Sequence, residues 1–380
     1  MLRVTDAYGP IPYSKMQNGT FSVPYDSQRD VYMAMIDDLD AAMETLYTFA
    51  SAGDGILMRD FDISSFKGDS RLWVSFANTL KLRMAIRMSG VEPEARRIAE
   101  EAVRDMATYG LIDANAENLS FSSDSRQNPF YTQATSTSWQ DLRSNASIVM
   151  YMNAYEDPRR ASYFSKSGYD GIYVGVRAGI QKVTPTDYAT YSYPLFAEKD
   201  PVPVMYASES WFLRAEGALL GWTMGDMAEN LYNTGVKTSL ELWGNGSSYE
   251  TYIASETAPA LSYADPRNKH NVSDFGTAVS VKWADDGNEM ERIITQKWSA
   301  NHMIGHEAWA DVRRTGYPRL LQVVNNLSGG MWGNVDSSKG MRRLHYPQSE
   351  YDNNRENVLR GVELLGGSDL HGTDVWWAKK

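Results

Sequence analysis

Apolar residues recur at intervals of three and four over most of the chain, a pattern that predicts amphipathic helices. We predict a first long helix starting at Asp26 and a second capped by Asp69 and ending at Gly90. A third is opened by Glu92 and Pro93, because proline is favoured in the first turn of a helix. The three apolar stripes contain Tyr32, Met35, Ile36, Leu39, Ala42, Met43 and Leu46; Trp73, Phe76, Ala77, Leu80, Met84 and Met88; and Ala95, Ile98, Ala99, Ala102 and Met106.

Short turns between consecutive helices predict helical hairpins. The second and third predicted helices are joined by only a few residues, so they should pack antiparallel. A second hairpin is predicted from residues 204–222 and a partner helix that Asp226 caps. The pairs resemble tetratricopeptide repeats, although the full repeat pattern of that family is not met.

Residues 110–200 have a different character. Helical periodicity survives there only around residues 142–155, and the remainder is rich in Ser, Thr, Gly and Tyr. Long polar loops with aromatic residues are unusual in compact domains and more often functional than not. We therefore predict a binding surface in this part of the chain.

Residues 295–318 read as two helices that meet at a corner. The first is predicted to end at Gly305, and the second to run from about Glu307 to Gly316. We interpret the corner as structural, with Asp311 and an arginine tying the helices together. Four tryptophans on helical stripes are expected in the core: Trp73, Trp211, Trp298 and Trp309.

Composition limits the functional classes. The 380 residues carry a net charge of −11, which argues against binding nucleic acid or anionic membranes through the protein surface. There is no cysteine, so disulfides, thiol catalysis and cysteine-ligated metal are excluded. No apolar run approaches the ~20 residues of a membrane span, and no signal peptide precedes Leu2.

Candidate catalytic groups are few. Glu209 and Glu216 are seven residues apart on one predicted helix, about 10.5 Å of rise, which is beyond the spacing of a glycosidase pair. We interpret both as partners of arginines on a packed helix. His302 and His306 do not form a zinc helix, because Ala310 stands where HExxH needs histidine. The segment NVDSSKG is a weak match to a calcium loop. We predict no enzyme, no metal and no cofactor.

Taken together, several segments resemble the SusD/RagB family of surface lipoproteins. Single segments are weakly specific, but their shared order spans nearly the whole chain. The matching segments are TDAYGPIPYS (5–14), YDSQRDVYMAMIDDLDAA (25–42), RLWVSFANTLKLRMAIRMSG (71–90), DPRRASYF (157–164), AEGALLGW (215–222), QKW (296–298), HEAWADVRRTGYPRL (306–320), RRLHYPQSEY (342–351) followed by Asn353 and Asn354, and Trp376 with Trp377.

The resemblance implies an all-α fold, a tetratricopeptide-like scaffold of helical hairpins with long irregular loops. Family members continue N-terminally of TDAYGPIPYS with a signal peptide, a lipid-bearing cysteine and the first helices. We expect one SusD-like domain, 1–380, lacking those helices and the lipid anchor. Residues 1–110 would form helical hairpins, 111–203 a loop-rich ligand-binding region, and 204–380 the C-terminal hairpins and loops.

The resemblance also implies a function. Members bind nutrients at the outer-membrane surface and pass them to a SusC-type TonB-dependent transporter. The leading hypothesis is non-catalytic glycan binding. A peptide-binding RagB-like member is the alternative, and a glycoside hydrolase is a third hypothesis. The candidate rings for stacking on sugars lie in the loop-rich region: Tyr131, Trp139, Tyr163, Tyr169, Tyr173 and Tyr191.

Overall fold

Helices dominate the computed structural model, which describes residues 1–16, 19, 22–124, 127–134, 142–181 and 184–379. Four short strands form two antiparallel pairs, in which Leu119 of β1 faces Met205 of β2 and Leu261 of β3 faces Gly276 of β4. The fold is thus all-α, as the sequence indicates. The elements are α1 (Leu2–Tyr8), α2 (Gln28–Ala52), α3 (Ser70–Arg87), α4 (Ala95–Arg104), α5 (Met106–Tyr109), β1 (Leu119–Phe121), α6 (Pro129–Ala134), α7 (Ala146–Ala154), α8 (Arg160–Tyr163), β2 (Val202–Met205), α9 (Ala207–Leu219), α10 (Ala228–Leu242), α11 (Tyr249–Ile253), β3 (Ala260–Tyr263), β4 (Val272–Thr277), α12 (Glu289–Ala300), α13 (Gly305–Thr315), α14 (Gln348–Asn353) and α15 (Arg355–Leu365).

The predicted starts of the helices are partly confirmed. Asp69 caps α3, and its side chain accepts hydrogen bonds from the backbone N–H groups of Arg71 and Leu72. Helix α2 is capped by Ser27, so the predicted start at Asp26 is slightly early. The Asp26 carboxylate instead accepts a hydrogen bond from the backbone N–H of Ser14, at 2.7 Å. Helix α4 begins at Ala95, which leaves the predicted N-terminal proline in the preceding turn.

Antiparallel pairs of helices build the scaffold. Helix α3 packs against α2 and α4, and α9 packs against α10 and α12. The apolar stripes meet in one large core, because each helix buries the face that carries them. Among the described helices, none is both long and apolar enough to cross a bilayer. The fully buried members of this core include Val31, Tyr32, Leu82, Phe212, Leu231, Tyr232 and Ile293.

Two buried arginines of α3 connect it to three other helices. Both oxygens of Glu209 on α9 accept from Arg83 at 2.7 Å. Glu307 of α13 contacts Arg83 at 3.4 Å and is also bonded to Arg87. Arg87 pairs in addition with Asp6 of α1. A buried charge is tolerated when it is paired and hydrogen-bonded, and here every carboxylate has an arginine.

A second buried network lies at the corner between α12 and α13. Lys297 of α12 contacts Asp311 of α13 at 3.0 Å, and Arg314 contacts the same carboxylate at 3.2 Å. Arg314 also reaches Glu216 of α9, with one contact at 2.9 Å. The predicted tie between the two helices is met with a different partner, because Lys297 rather than an arginine joins α12 to Asp311 of α13. The prediction that Glu209 and Glu216 pair with arginines of packed helices is also confirmed.

The end of α12 differs from the sequence-based prediction. The helix ends at Ala300, and the left-handed conformation is taken by Met303, with φ of 71°. Gly305 is the first residue of α13 rather than the stop of α12. Gly316 ends α13 in the left-handed conformation, as predicted. The four residues between the helices hold Asn301 and His302, both buried at this corner.

Candidate ligand groove

An open groove of ≈ 1610 Å³ runs along the helical corner. Its lining includes parts of the loop-rich region, among them Ile148 and Arg177, together with Phe275 of β4. Residues of α12 and α13, residues 337–340 and Arg342 line it as well. The groove therefore combines irregular segments with rigid helices, an arrangement common in ligand-binding sites.

Aromatic rings line the groove. Trp298 of α12 is held edge-to-face against Tyr151, with ring centroids 5.7 Å apart. Trp309 of α13 lines the groove too, and its indole N–H donates to the carbonyl of Met341 at 2.9 Å. Both tryptophans are only half-buried. Trp73, Trp211 and Trp298 pack against buried clusters of the core, as expected, but all four predicted core tryptophans keep part of their surface exposed.

Several buried polar side chains that line the groove have unused hydrogen-bonding capacity. Both amide atoms of Asn301, Nε2 of His302 and Nη2 of Arg313 have no partner among the described residues. Buried polar atoms are normally satisfied, so an unsatisfied group beside a cavity points to a ligand or water. An amide, an imidazole and a guanidinium together can donate to and accept from sugar hydroxyls.

His302 is neutral in the folded protein. Its ring stacks on Tyr163, with centroids 4.0 Å apart, and burial lowers the pKa of His302 to about 3. The imidazole therefore offers a hydrogen bond rather than a positive charge at neutral pH. The lowered pKa of His302 also makes the stability of the fold sensitive to acid. In the unfolded chain this histidine takes up a proton near the usual pKa of about 6.5, whereas in the folded chain it stays neutral at that pH.

Between about pH 6.5 and 4.5, the wild-type His302 should lower the free energy of unfolding by up to about 1.4 kcal/mol for each pH unit of acidification. We expect His302→Phe to remove this contribution, so that the free energy of unfolding falls less steeply with pH. The folded pKa is lowered, so the stability is present at high pH and is lost as the pH falls. Denaturant unfolding at a series of pH values measures the slope. His306→Phe, at an exposed site four residues on, should keep the wild-type slope. An unchanged slope in His302→Phe would contradict the assignment.

Two of the candidate tyrosines are buried. Tyr163 is 0% exposed and its hydroxyl donates to the carbonyl of Ser299 at 3.1 Å. Tyr191 is 1% exposed and its hydroxyl donates to Asp265. Neither presents a ring face to solvent in this structure, and both serve packing here. Tyr191 belongs to a buried cluster that the loop-rich region shares with later residues such as Leu261, and Tyr163 belongs to a separate cluster with Phe164.

The other candidate rings are distributed along the loop-rich region. Tyr131, Tyr169 and Tyr173 are half-buried. Tyr169 packs edge-on against Tyr191, and the guanidinium of Arg160 lies 4.8 Å from the ring of Tyr173. None of the five described candidates is among the described residues that line the groove, and a binding role for them stays a prediction. Trp139 lies outside the described residues.

The sequence reasoning missed the groove aromatics. Trp298 and Trp309 stand on apolar helical stripes, and a stripe alone does not distinguish a ring buried on both faces from one that is half-exposed. A further groove ring, Phe275, lies in a strand that was not predicted. Within the described residues, no group of three His, Asp or Glu side chains could hold a metal ion.

Comparison with known proteins identifies the family. The family model described as SusD-like, "Susd and RagB outer membrane lipoprotein", matches residues 1–378. The chain belongs to this family, whose members are binding proteins rather than enzymes. No curated protein matches the sequence.

Solved structures agree with this assignment. A chitin-binding SusD homologue from Flavobacterium johnsoniae is 39% identical, with a TM-score of 0.92. SusD homologues from Bacteroides uniformis and Bacteroides thetaiotaomicron are 42% and 40% identical, with TM-scores of 0.91 and 0.90. Each match covers 100% of this chain and 78–79% of the relative. Family and relatives together support a role in binding glycans at the outer-membrane surface.

Proposed function

We propose that this protein binds a glycan in the groove without cleaving it and delivers it to a SusC-type TonB-dependent transporter. The observation that carries the proposal is the pairing of half-exposed Trp298 and Trp309 with the unsatisfied polar groups of Asn301 and His302 in one open groove. A ring stacks on the apolar face of a pyranose, and nearby polar groups bind its hydroxyls. The chitin-binding relative from Flavobacterium johnsoniae supports a glycan as the ligand.

The expected affinity suits a protein that must release its ligand. Burying part of one ring, about 60–100 Å², contributes roughly 1.5–2.5 kcal/mol at ~25 cal/mol/Å². Two or three such contacts, reduced by the cost of ordering the chain, give dissociation constants of about a millimolar to tens of micromolar. Binding in this range is rapidly reversible, as transfer to a transporter requires.

The carboxylates near the groove support a non-catalytic role. Glycoside hydrolysis needs two carboxylates on either side of the scissile bond. Among the described lining residues the only carboxylate is Asp374, and it is paired with Arg342 at 2.5 Å. Glu209 and Glu216 are each held by an arginine in the core.

Native affinity electrophoresis through gels that contain a panel of polysaccharides tests the proposal, with reducing-end release assayed on the same samples. We expect retardation by at least one polymer and no release. Release of reducing ends would overturn the non-catalytic assignment. Failure of every polymer to retard the protein, together with binding to a peptide library, would favour the RagB-like alternative.

Delivery to a transporter has a separate test. We expect the tagged protein to co-purify with a SusC-type transporter after mild detergent extraction of the outer membrane. An exposed control substitution such as Arg360→Gln should leave the yield unchanged. Recovery of the protein without any transporter would contradict this half of the proposal and leave the glycan-binding half intact.

A further inference from the structure

The groove is basic in an acidic protein. The whole chain has a net charge of −11, yet the described residues lining the groove include six cations and a single carboxylate, Asp374. Such a local reversal of sign raises the concentration of anions in the groove and steers them towards it. The six cations are Arg143, Arg177, Arg313, Arg319, Lys339 and Arg342.

Two arginines, Arg177 and Arg319, form a positive edge of the groove, and the guanidinium of Arg319 lies 5.8 Å from the ring centroid of Phe275. Arg177 donates to the carbonyls of His270 and Gln322 at 3.2 and 2.7 Å. Arg319 donates to the carbonyl of Thr277 at 3.1 Å. Neither makes an ion pair with a carboxylate of the described chain. Nε of Arg177 is also buried without a hydrogen-bond partner among the described residues.

Arg313 is a third groove arginine that makes no ion pair with a carboxylate of the described chain. Its side chain is 3% exposed, and its guanidinium lies 3.5 Å from the ring centroid of Trp309. Nη1 donates to the carbonyls of Asp6 and Arg342 at 2.7 and 2.8 Å, while Nη2 has no partner in the described chain. Burial lowers the pKa of Arg313 to about 9, because the charge of Asp6 offsets only part of the lost hydration. The group still carries its charge at neutral pH.

Most other buried arginines of the protein are neutralised. Six of them each make an ion pair with a carboxylate, and among the described residues Arg214 is a further exception to this pattern. Leaving a buried charge unpaired costs free energy, so Arg313, together with the less buried Arg177 and Arg319 in the same groove, suggests a ligand that brings its own negative charge. The six paired arginines are Arg83, Arg87, Arg159, Arg292, Arg342 and Arg343.

We propose that the groove selects an anionic glycan, one whose sugars carry carboxylates or sulfate esters. This inference rests on the proposed glycan-binding function and specifies its substrate class. The planar guanidinium matches both anions, because its parallel N–H groups can donate to two oxygens at once. The half-exposed rings of Trp298 and Trp309 favour a glycan over an acidic peptide, since they offer flat faces to pyranoses.

Polymers that differ only in charge test the inference. Isothermal titration with polygalacturonate and its fully methyl-esterified form compares carboxylates with neutral esters, and chondroitin sulfate with desulfated chondroitin isolates the sulfate. We expect the charged member of at least one pair to bind about tenfold tighter, and the preference to shrink as salt is raised. The pair that shows the preference identifies the anion.

The other outcomes separate this inference from the proposed function. Equal binding of the charged and neutral members would overturn the anionic preference and leave glycan binding standing. Binding to poly-glutamate as tight as to the best glycan would overturn both the preference for a glycan and the proposed ligand class. Absence of binding to every polymer, including neutral chitin oligosaccharides, would count against the proposed function itself.

Matched variants test which arginines produce the preference for the charged polymer. Arg319→Gln changes an exposed side chain, so the fold should be kept, and we expect it to reduce the preference for the charged polymer about tenfold, close to the lower end of the range of a charge-assisted hydrogen bond. Arg360→Gln removes an exposed arginine outside the groove and should leave the preference unchanged. A preference that survives in Arg319→Gln and Arg177→Gln alike would contradict the role of this edge.

Discussion

Replacing Glu307 with glutamine is expected to lower the free energy of unfolding by about 3–5 kcal/mol, the range for breaking a buried ion pair by removing one partner. Glu307 lies between Arg83 and Arg87, and the side chains of all three are buried. Glutamine keeps the size of the side chain but removes its charge. The two arginines then repel each other inside the core, with Glu209 and Asp6 left as their carboxylate partners.

The same substitution should change the response to acid. Burial by itself raises the pKa of Glu307, but the charges of Arg83 and Arg87 outweigh it and lower the pKa to about 2. Because the folded pKa lies below the unfolded one, this stability is complete above about pH 5 and is lost as the pH falls towards 2. The free energy of unfolding of Glu307→Gln should therefore fall furthest below that of the wild type at neutral pH, and the difference should shrink in acid.

Chemical denaturation at pH 7 and pH 3 measures both effects. Glu363→Gln supplies the control, because the Arg360–Glu363 pair is exposed and its loss should cost less than about 1 kcal/mol. A Glu307→Gln protein as stable as the wild type at pH 7 would mean that the arginines are adequately held by their remaining partners. Our account of the network would then be wrong.

Truncating either groove tryptophan is the second change expected to have a large effect. Trp298→Ala and Trp309→Ala should each weaken glycan binding by about 1.5–2.5 kcal/mol, which is roughly 10- to 70-fold. Each ring offers an exposed face in the groove, and Trp309 also stacks on Arg313. Removing Trp309 should therefore lose the stacking contact and loosen the arginine beneath it.

Titration with the polymer that retards the wild type measures these losses. Tyr47→Ala is the matched control, because its ring is exposed on α2 outside the groove. Circular dichroism and thermal unfolding must accompany the titration, since Trp298 also packs on Tyr151. Unchanged affinity in folded Trp298→Ala and Trp309→Ala proteins would move the site elsewhere, and Tyr131, Tyr169 and Tyr173 would be tested next.

The sequence by itself determined the helical scaffold. Periodic apolar stripes and local capping groups are properties of neighbouring residues, so the cap of α3 at Asp69 and the end of α13 at Gly316 were predicted correctly. Pairing of Glu209 and Glu216 with arginines was also predicted, because a charge on a buried helical face requires a partner. The order of segments along the chain was enough to indicate the family.

Only the tertiary structure decided where the candidate site lies. Phe275, Trp298 and Trp309 come from β4, α12 and α13, and no local pattern says which ring faces will meet across a groove. Tyr163 and Tyr191 show the converse, since rings in a loop-rich sequence became members of buried clusters. Periodicity reports which face of an element is apolar. Whether that face is covered, and whether a charge such as that of Arg313 finds a carboxylate, depends on contacts between residues far apart in the chain.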